Sequence, residues 1–363
     1  MYIKKLYIIN YRNIAEAEFD FSPGFNCLIG ENGAGKTNVL DAIYHLSMCR
    51  SSINPHDACN IAHNASFFVL EGDYADGDRK FHIYGGMKRG EKKIFKRDDK
   101  AYVRFSEHIG RVPTVLIAPD DIHIVDGAGE VRRKMLDGII SQHDRVYLEN
   151  LMNYNRLLIQ RNALLKKFQP PASLSLLDVL DVQLAAYGAT VMKTRRHFIE
   201  EYRGLVLHYF KFLSGGHEKT DIFYTPSSEE DNLYDSFVRT RKKDIVLGYT
   251  SSGVHRDDIS MIQDGYPVRK SASQGQKKTL VIALKLAQYI WLKKNAKTEP
   301  LLLLDDIFAK LDEERSKALV EMVGGEDFGQ VVVADTNFRF FENSRSFDMS
   351  GCKIFKLKNG ALE

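Results

Sequence analysis

Residues 30–37 read Gly-Glu-Asn-Gly-Ala-Gly-Lys-Thr and match the phosphate-binding pattern G-x-x-x-x-G-K-[ST] at every position. Residues 24–29 before them predict a short buried strand, and residues 38–48 after them carry apolar side chains at helical spacing. In this setting the glycines let backbone N–H groups turn inward around phosphate oxygens, and the helix N-terminus adds a positive dipole. The loop is therefore predicted to bind a nucleotide. The simpler alternative is a glycine-rich turn that opens an ordinary helix.

Two side chains of this loop carry specific chemistry. Lys36 can reach the β- and γ-phosphates of a bound ATP, and the Thr37 hydroxyl can bind Mg²⁺. The predicted nucleotide contacts in the loop are Gly30, Glu31, Asn32, Gly33, Ala34, Gly35, Lys36 and Thr37.

A second motif, which contains two acidic residues, lies far downstream of the P-loop. Residues 301–304 are four leucines, which predict a buried strand, and they are followed by Asp305 and Asp306. Asp305 can hold Mg²⁺, while Asp306 is placed to orient water or act as a general base. With Lys36, these two carboxylates are the predicted catalytic residues. Since compact P-loop kinases and GTPases usually have this strand nearer to the loop, the long separation indicates an inserted domain.

The bulk composition fits a folded globular protein with two domains. The chain has 363 residues, of which 44% are hydrophobic and 27% charged, and its formal net charge is +3. No run approaches the roughly 18 apolar residues that cross a membrane, and no signal peptide is evident. A cytoplasmic protein is expected, because the four cysteines show no metal or disulfide spacing. They are Cys27, Cys49, Cys59 and Cys352.

The middle of the chain predicts two long helices joined at Pro170-Pro171. Apolar residues recur at alternating steps of four and three on both sides of this turn, with Arg161 taking one position in the series. This pattern favours an antiparallel helical arm over the alternative, a plain bundle packed on the head. The predicted domains are residues 1–125 (N-terminal lobe with the P-loop), 126–216 (arm) and 217–363 (C-terminal lobe).

Residues 88–104 form a strongly basic segment, with eight basic and three acidic residues. They predict an exposed hairpin, which either keeps a sheet edge solvated or offers phosphate-binding charge. The candidate DNA contacts, from this segment and the second long helix, are Lys92, Lys93, Lys96, Arg97, Arg195 and Arg196.

A serine motif opens the helix predicted from residue 279. Residues 273–276, Ser-Gln-Gly-Gln, resemble the signature motif of ABC-type ATPases, in which a serine and backbone N–H groups bind the nucleotide of the opposite subunit. Ser273, Gln274 and Gly275 are therefore predicted nucleotide contacts. The alternative for Ser273 is a simple helix N-cap.

The order of these motifs resembles the SMC-like branch of ABC-type ATPases over essentially the whole chain. The most specific blocks are Arg-Arg-Lys-Met-Leu-Asp at 132–137 and His-Arg-Asp-Asp at 255–258. The resemblance implies a mixed α/β ATPase head with an inserted, all-helical antiparallel arm. It also implies nucleotide contacts from Arg12 and Asp312, whereas Asp335-Thr336-Asn337 replaces the usual switch histidine.

The resemblance further implies an ATP- and Mg²⁺-dependent homodimer that binds single-strand/double-strand DNA junctions. Its partners would be RecO and RecR, with RecA loaded onto gapped DNA, in recombinational repair, replication-fork recovery and the SOS response. Because aspartate reaches less far than glutamate, Asp306 predicts slow hydrolysis. His255, Arg256 and Asp257 are expected either to contact nucleotide or the dimer partner, or to fix a turn.

Two other functional classes compete with this interpretation. The ATPase subunit of a membrane transporter would need a surface for transmembrane partners, and it usually lacks a heptad-patterned arm. A scaffold with structural, unhydrolysed ATP is disfavoured by Asp305 and Asp306 together.

Overall fold

A computed structural model of the chain describes residues 1–228, 232–308, 311–336 and 351–363. The longer helices are α1 Lys36–Met48, α3 Gly129–Ser141, α4 Arg145–Lys166, α5 Ala172–Leu213, α6 Leu233–Leu247, α8 Gln274–Asn295 and α9 Glu313–Val323, and the short ones are α2 His123–Asp126 and α7 Val268–Ser271. The strands are β1 Tyr2–Tyr11, β2 Ile14–Asp20, β3 Phe25–Ile29, β4 Phe67–Asp76, β5 Arg79–Lys88, β6 Ile94–Arg97, β7 Lys100–Ala101, β8 Thr114–Ile117, β9 Thr220–Thr225, β10 Asp258–Gln263, β11 Tyr266–Pro267, β12 Leu301–Asp305, β13 Val331–Asp335, β14 Lys353–Lys358 and β15 Ala361–Leu362.

The central sheet has the order β15-β14-β3-β13-β12-β8. Strands β14, β3, β13, β12 and β8 run parallel, and only β15 is antiparallel to its neighbour. Strands β12 and β13 are buried along their whole length, as expected for parallel strands covered on both faces. The four-leucine strand predicted at 301–304 is confirmed as part of β12.

A second, antiparallel sheet has the order β2-β1-β4-β5-β6-β7. Helix α1 lies between the two sheets, where its buried Val39, Leu40, Ile43 and Leu46 join one continuous apolar core with Phe68 of β4 and Leu303 of β12. The P-loop therefore opens onto a helix that is held by the core on two sides.

The chain divides into two compact units. The head unit comprises Met1–Asp121, Tyr209–Gly216 and Gln274–Glu363, and the helical unit comprises Ile122–His208 and His217–Ser273. The predicted boundaries group residues 217–273 with the C-terminal lobe, whereas their contacts group them with the helices. The reason is the small sheet β11-β10-β9, whose strand β10 packs on α3.

The two long helices of the helical unit form as predicted, and α5 has 42 residues, a length of about 60 Å. Arg161 in the apolar seam of α4 is fully buried, and it donates to Asp181 (2.6 Å) and Asp244 (2.8 Å). These carboxylates explain how a charged residue occupies a core position.

By length and composition, α5 alone among the described helices could cross a membrane, with a mean hydropathy of 1.3 over 18 residues. Leu177, Leu184, Val191 and Tyr202 of this helix are fully buried within the protein. Core helices of soluble proteins have the same composition, so the length and hydropathy of α5 are weak evidence for a membrane span.

Candidate functional site

The parallel register brings both phosphate motifs to one edge of the central sheet. Strand β13 lies between β3 and β12, with Asp335 opposite Ile29 and Ala334 opposite Asp305. The P-loop that follows Ile29 and the carboxylates that end β12 therefore converge, although they are far apart in sequence.

The closest link between the motifs is a hydrogen bond of 2.9 Å from the Thr37 hydroxyl to Oδ1 of Asp305. Asp305 is only 5% exposed, and this burial raises its pKa to about 6, while the hydrogen bond from Thr37 opposes the rise. A hydroxyl and a carboxylate side by side are hard oxygen ligands, which Mg²⁺ prefers. Thr37 and Asp305 thus fit the metal role predicted for them.

Lys36 is folded back onto the P-loop. Its Nζ donates to the carbonyls of Gly30 (2.6 Å) and Glu31 (2.9 Å). Burial lowers the pKa of Lys36, and the charges of Asp306 and Asp305 partly offset that effect. The ammonium group is thereby held at the mouth of the loop, within the space where phosphates would lie.

Two glycines of the loop are required by geometry. Gly35 has a φ of 106°, in the left-handed region that favours glycine. At Gly30, a Cβ would lie 2.3 Å from the carbonyl oxygen of Leu357, which belongs to β14. The hairpin of β14 and β15 thus touches the P-loop, and Gly360 donates its N–H to Ala34 (2.9 Å). Sequence reasoning missed this contact, because residues 353–362 carry no phosphate motif.

Asn13 fixes the loop from the other side. Its side-chain amide donates to the carbonyl of Gly33 (2.9 Å) and accepts from Nδ2 of Asn38 (2.5 Å). Arg12 beside it lines the same cleft, whose volume is about 830 Å³. Asn13 is therefore a further site residue, next to the predicted nucleotide contact Arg12.

Asp306 has a left-handed backbone (φ 46°), although it is not a glycine. Its Oδ1 is buried and has no hydrogen-bond partner among the described residues. A buried carboxylate oxygen left unpaired in a cleft is unfavourable unless a ligand or water pairs with it. This geometry fits the predicted role of Asp306 in orienting water.

The signature segment is linked to the region after β12. Asp312 caps α9 by accepting from the N–H of Arg315 (2.9 Å), and Arg315 in turn donates to the carbonyl of Gly275 (3.0 Å). Gln274 and Gly275 begin α8 in the head unit, whereas Ser273 just before them belongs to the helical unit. Asn337, in the segment that replaces the usual switch histidine, lies outside the described residues.

The basic segment forms β6, β7 and their turn. Lys92 is exposed, and the Lys96 ammonium lies 5.3 Å from the ring centre of Tyr84. Arg97 lies over Phe81, at 4.3 Å. Lys93 is different, because its side chain is 9% exposed and pairs with Asp57 at 2.8 Å. The prediction that Lys93 contacts DNA is therefore corrected, because its ammonium group is already paired with a carboxylate of the head unit.

Arg195 also requires a correction. It is 1% exposed, and it donates to Asp137 (2.7 Å) and to the carbonyl of Val254 (2.7 Å). A buried, paired guanidinium holds the helical unit together and is not available to DNA phosphates. Arg196, its neighbour, is partly exposed and stays a predicted contact.

The two sequence blocks that are most specific for the family bind each other. Arg132 forms a two-bond ion pair with Asp258 (2.6 and 2.8 Å), and Arg133 donates to the carbonyl of Asp257 (2.6 Å). The ion pair supports the interpretation that the His-Arg-Asp-Asp block fixes a turn.

The fold and the phosphate site together define an ABC-type P-loop ATPase head. The family model described as "RecF/RecN/SMC N terminal domain" matches residues 2–360. The DNA replication and repair protein RecF of Bacteroides thetaiotaomicron is 41% identical, over 100% of this chain and 98% of that protein.

Solved structures give the same result. The recombination mediator protein RecF-ATPrS in the RecFOR pathway superimposes with a TM-score of 0.88 at 30% identity, covering 100% of this chain and 97% of that one. RecF-ATP in the same pathway gives 0.87 at 30% identity, with 100% and 98% covered. The chain belongs to the RecF family, so the predicted resemblance and fold class are confirmed.

Proposed function

We propose that this protein is an ATP-gated DNA-binding clamp that acts in recombinational DNA repair. The observation that carries the proposal is the 2.9 Å hydrogen bond between Thr37 and Asp305, which joins the P-loop to the acidic end of β12. Support also comes from relatives at about 40% identity named DNA replication and repair proteins, and from RecF structures named for ATP and ATPrS.

ATP would be bound by the P-loop, with Mg²⁺ held by Thr37 and Asp305. A bound Mg²⁺ supplies charge neutralisation for the phosphates. The protein's own contributions are the Lys36 ammonium, the inward backbone N–H groups and the Asp306 carboxylate, whose unpaired oxygen can accept a hydrogen bond from water. Lys36→Arg is expected to keep the fold, because the loop carbonyls can still be bonded, but to abolish most phosphate release.

Dimerisation would depend on ATP, with Ser273 and the start of α8 contacting the nucleotide of a second copy. Analytical sedimentation with and without ATP tests this step. Ser273→Arg should remain monomeric with ATP, whereas the control Ser271→Ala, which loses only a bond to the carbonyl of Pro267, should dimerise. A Ser273→Arg protein that still dimerises would refute the role in trans.

DNA would be bound mainly through phosphates, using Lys92, Lys96 and Arg97 in the head unit. Replacing all three by alanine should weaken binding to gapped DNA and reduce the slope of log K against log salt by about 2 to 3. The control Lys317→Ala removes an exposed lysine that is already paired with Glu313 at 2.7 Å. An unchanged salt slope in the triple variant would exclude Lys92, Lys96 and Arg97 as DNA contacts.

Further along the pathway, we propose cooperation with RecO and RecR to load RecA onto gapped DNA. Roles in replication-fork recovery and the SOS response, and a cytoplasmic location, belong to the same proposal. Hydrolysis would be slow and stimulated by DNA, so that it times release and does not drive movement.

The decisive experiment for the whole proposal is co-sedimentation of the purified chain with gapped DNA or with lipid vesicles, each with and without ATP. ATP-dependent association with DNA alone supports the clamp. Association with vesicles alone, or DNA binding indifferent to ATP, would refute it.

A further inference from the structure

The helical unit contains a second cleft, with a volume of about 360 Å³. It lies among α3, α4, α5 and the loop that carries the His-Arg-Asp-Asp block. Its charged lining residues are Glu130, Arg133, Lys134, Asp137, Arg195 and Arg256.

The positive charges of this cleft are not fully balanced. Asp137 is paired with Arg195 at 2.7 Å, and Glu130 is paired with Lys134 at 2.7 Å. Arg133 and Arg256 are left without a carboxylate within 4.0 Å among the described residues. Two arginines without a carboxylate partner in one concave site form an attractive environment for an anion.

Arg133 is held in position by the protein. Its Nη1 donates to the carbonyl of Asp257 (2.6 Å), and no other hydrogen bond occupies its remaining N–H groups among the described residues. Burial, together with the neighbouring charge of Arg195, lowers the pKa of Arg133, and the carboxylates of Asp258, Asp137 and Asp257 offset this effect only in part. An incoming anion would relieve this imbalance.

Arg256 lines the same cleft and is also held by the protein. Its Nη2 donates to the carbonyl of Thr250 (3.4 Å), its guanidinium lies 5.1 Å from the ring centre of Tyr249, and the residue is exposed. The wall beside it is neutral: His255 accepts from the Tyr154 hydroxyl (2.8 Å) and donates to the carbonyl of Thr250 (3.0 Å). Burial lowers the pKa of His255 to about 4, so the imidazole neither repels nor neutralises a ligand near pH 7.

We propose that this cleft binds a phosphomonoester between Arg133 and Arg256, supplied either by the end of a DNA strand or by a free nucleoside monophosphate. A terminal phosphate carries nearly two charges and three oxygens, which two arginine forks can bind. A cleft of about 360 Å³ admits a phosphate with its nucleoside but not a duplex. The DNA source rests on the proposed function.

The test uses the full chain with a saturating non-hydrolysable ATP analogue, so that the nucleotide cleft is filled. Gapped duplexes that differ only in a phosphate or hydroxyl at the 5′ or 3′ strand end are titrated by fluorescence anisotropy. Wild-type protein should bind one phosphorylated end about tenfold more tightly. Arg256→Ala and Arg133→Gln should erase the difference, and Arg256→Lys should restore part of it. The matched control Arg156→Ala, an exposed arginine elsewhere on α4, should keep it.

A second arm identifies the source of the phosphate. Inorganic phosphate and dTMP, added under the same conditions, are measured for direct binding by ³¹P line broadening. Binding of dTMP that is lost in Arg256→Ala but retained in Arg156→Ala, without discrimination between DNA ends, would assign the cleft to a free nucleotide. The proposal is overturned if neither probe distinguishes Arg256→Ala and Arg256→Lys from wild type. In that case hydroxyl-ended DNA should still bind with ATP, so the clamp itself would not be refuted.

Discussion

Asp305 makes the stability of the nucleotide-free head depend on pH in a direction unusual for a carboxylate. Its pKa is raised by burial from the ordinary 3.8 to about 6, with Asp306 adding to the rise. Since the folded state keeps a proton that the unfolded chain loses between about pH 4 and 6, stability falls as the pH rises through that window. The difference corresponds to about 3 kcal/mol above pH 6.

The isosteric variant Asp305→Asn never ionises, so it avoids this loss. At pH 7.5 the free energy of unfolding of Asp305→Asn, measured in urea, should exceed that of wild type by up to about 3 kcal/mol. At pH 4 this difference should disappear. Trp291, the only tryptophan in the sequence, is buried in α8 and reports head unfolding by fluorescence. An additional readout is ligand linkage, because Mg²⁺ with ATP should stabilise wild type but not Asp305→Asn.

The pH dependence separates this explanation from a simple packing effect. Asparagine places an extra N–H₂ group in the cleft, which changes stability equally at all pH values. Asp312→Asn makes the same substitution at a largely exposed carboxylate and is the control for the exchange itself. A gap between wild type and Asp305→Asn that is the same at pH 4 and 7.5 would refute the reasoning.

Three further predictions concern other parts of the structure. Arg161→Met should destabilise the helical unit by about 3–5 kcal/mol in urea unfolding followed by circular dichroism, because buried Asp244 loses its cation and Asp181 keeps only Arg241, at 2.7 Å; a loss below 1 kcal/mol would contradict this. Gly360→Ala should weaken ATP binding in calorimetry, since its Cβ would lie 2.2 Å from the carbonyl oxygen of Asn13, whereas Gly265→Ala, with open space around it, should not. Asp312→Ala should cost about 1 kcal/mol by removing the α9 cap, and Asp312→Asn much less, as measured by thermal unfolding.

The phosphate site could be predicted from the sequence because its chemistry is local. The P-loop pattern specifies both its residues and its strand–helix setting, and a run of four leucines before two aspartates specifies the second strand. The pairing of Thr37 with Asp305 follows from these motifs once the strands are taken as parallel members of one sheet. Local pattern and tertiary structure agree here, as they do in most well-folded sequences.

The fate of individual basic residues could not be predicted in this way. Lys93 and Arg195 occur in basic surroundings, as Lys92 and Arg196 do, yet both are buried on carboxylates from distant segments. Whether a charged side chain faces solvent depends on the partners that the tertiary fold brings to it. The local sequence around a basic residue does not indicate those partners. For Arg161, the apolar periodicity of the surrounding residues did indicate a buried position. The two carboxylates that pair with it were not evident from the sequence.

The arrangement of the central sheet explains why the two halves of the head are inseparable. Strand β3, which leads into the P-loop, has β13 on one side and β14 on the other, and both come from the C-terminal part of the chain. The hairpin that follows β14 also touches the loop through Gly360. An N-terminal lobe alone would leave β3 with two open edges and the loop without one wall. The phosphate site is therefore a property of the completed sheet, so the helical insertion must return the chain to it before any nucleotide can be held.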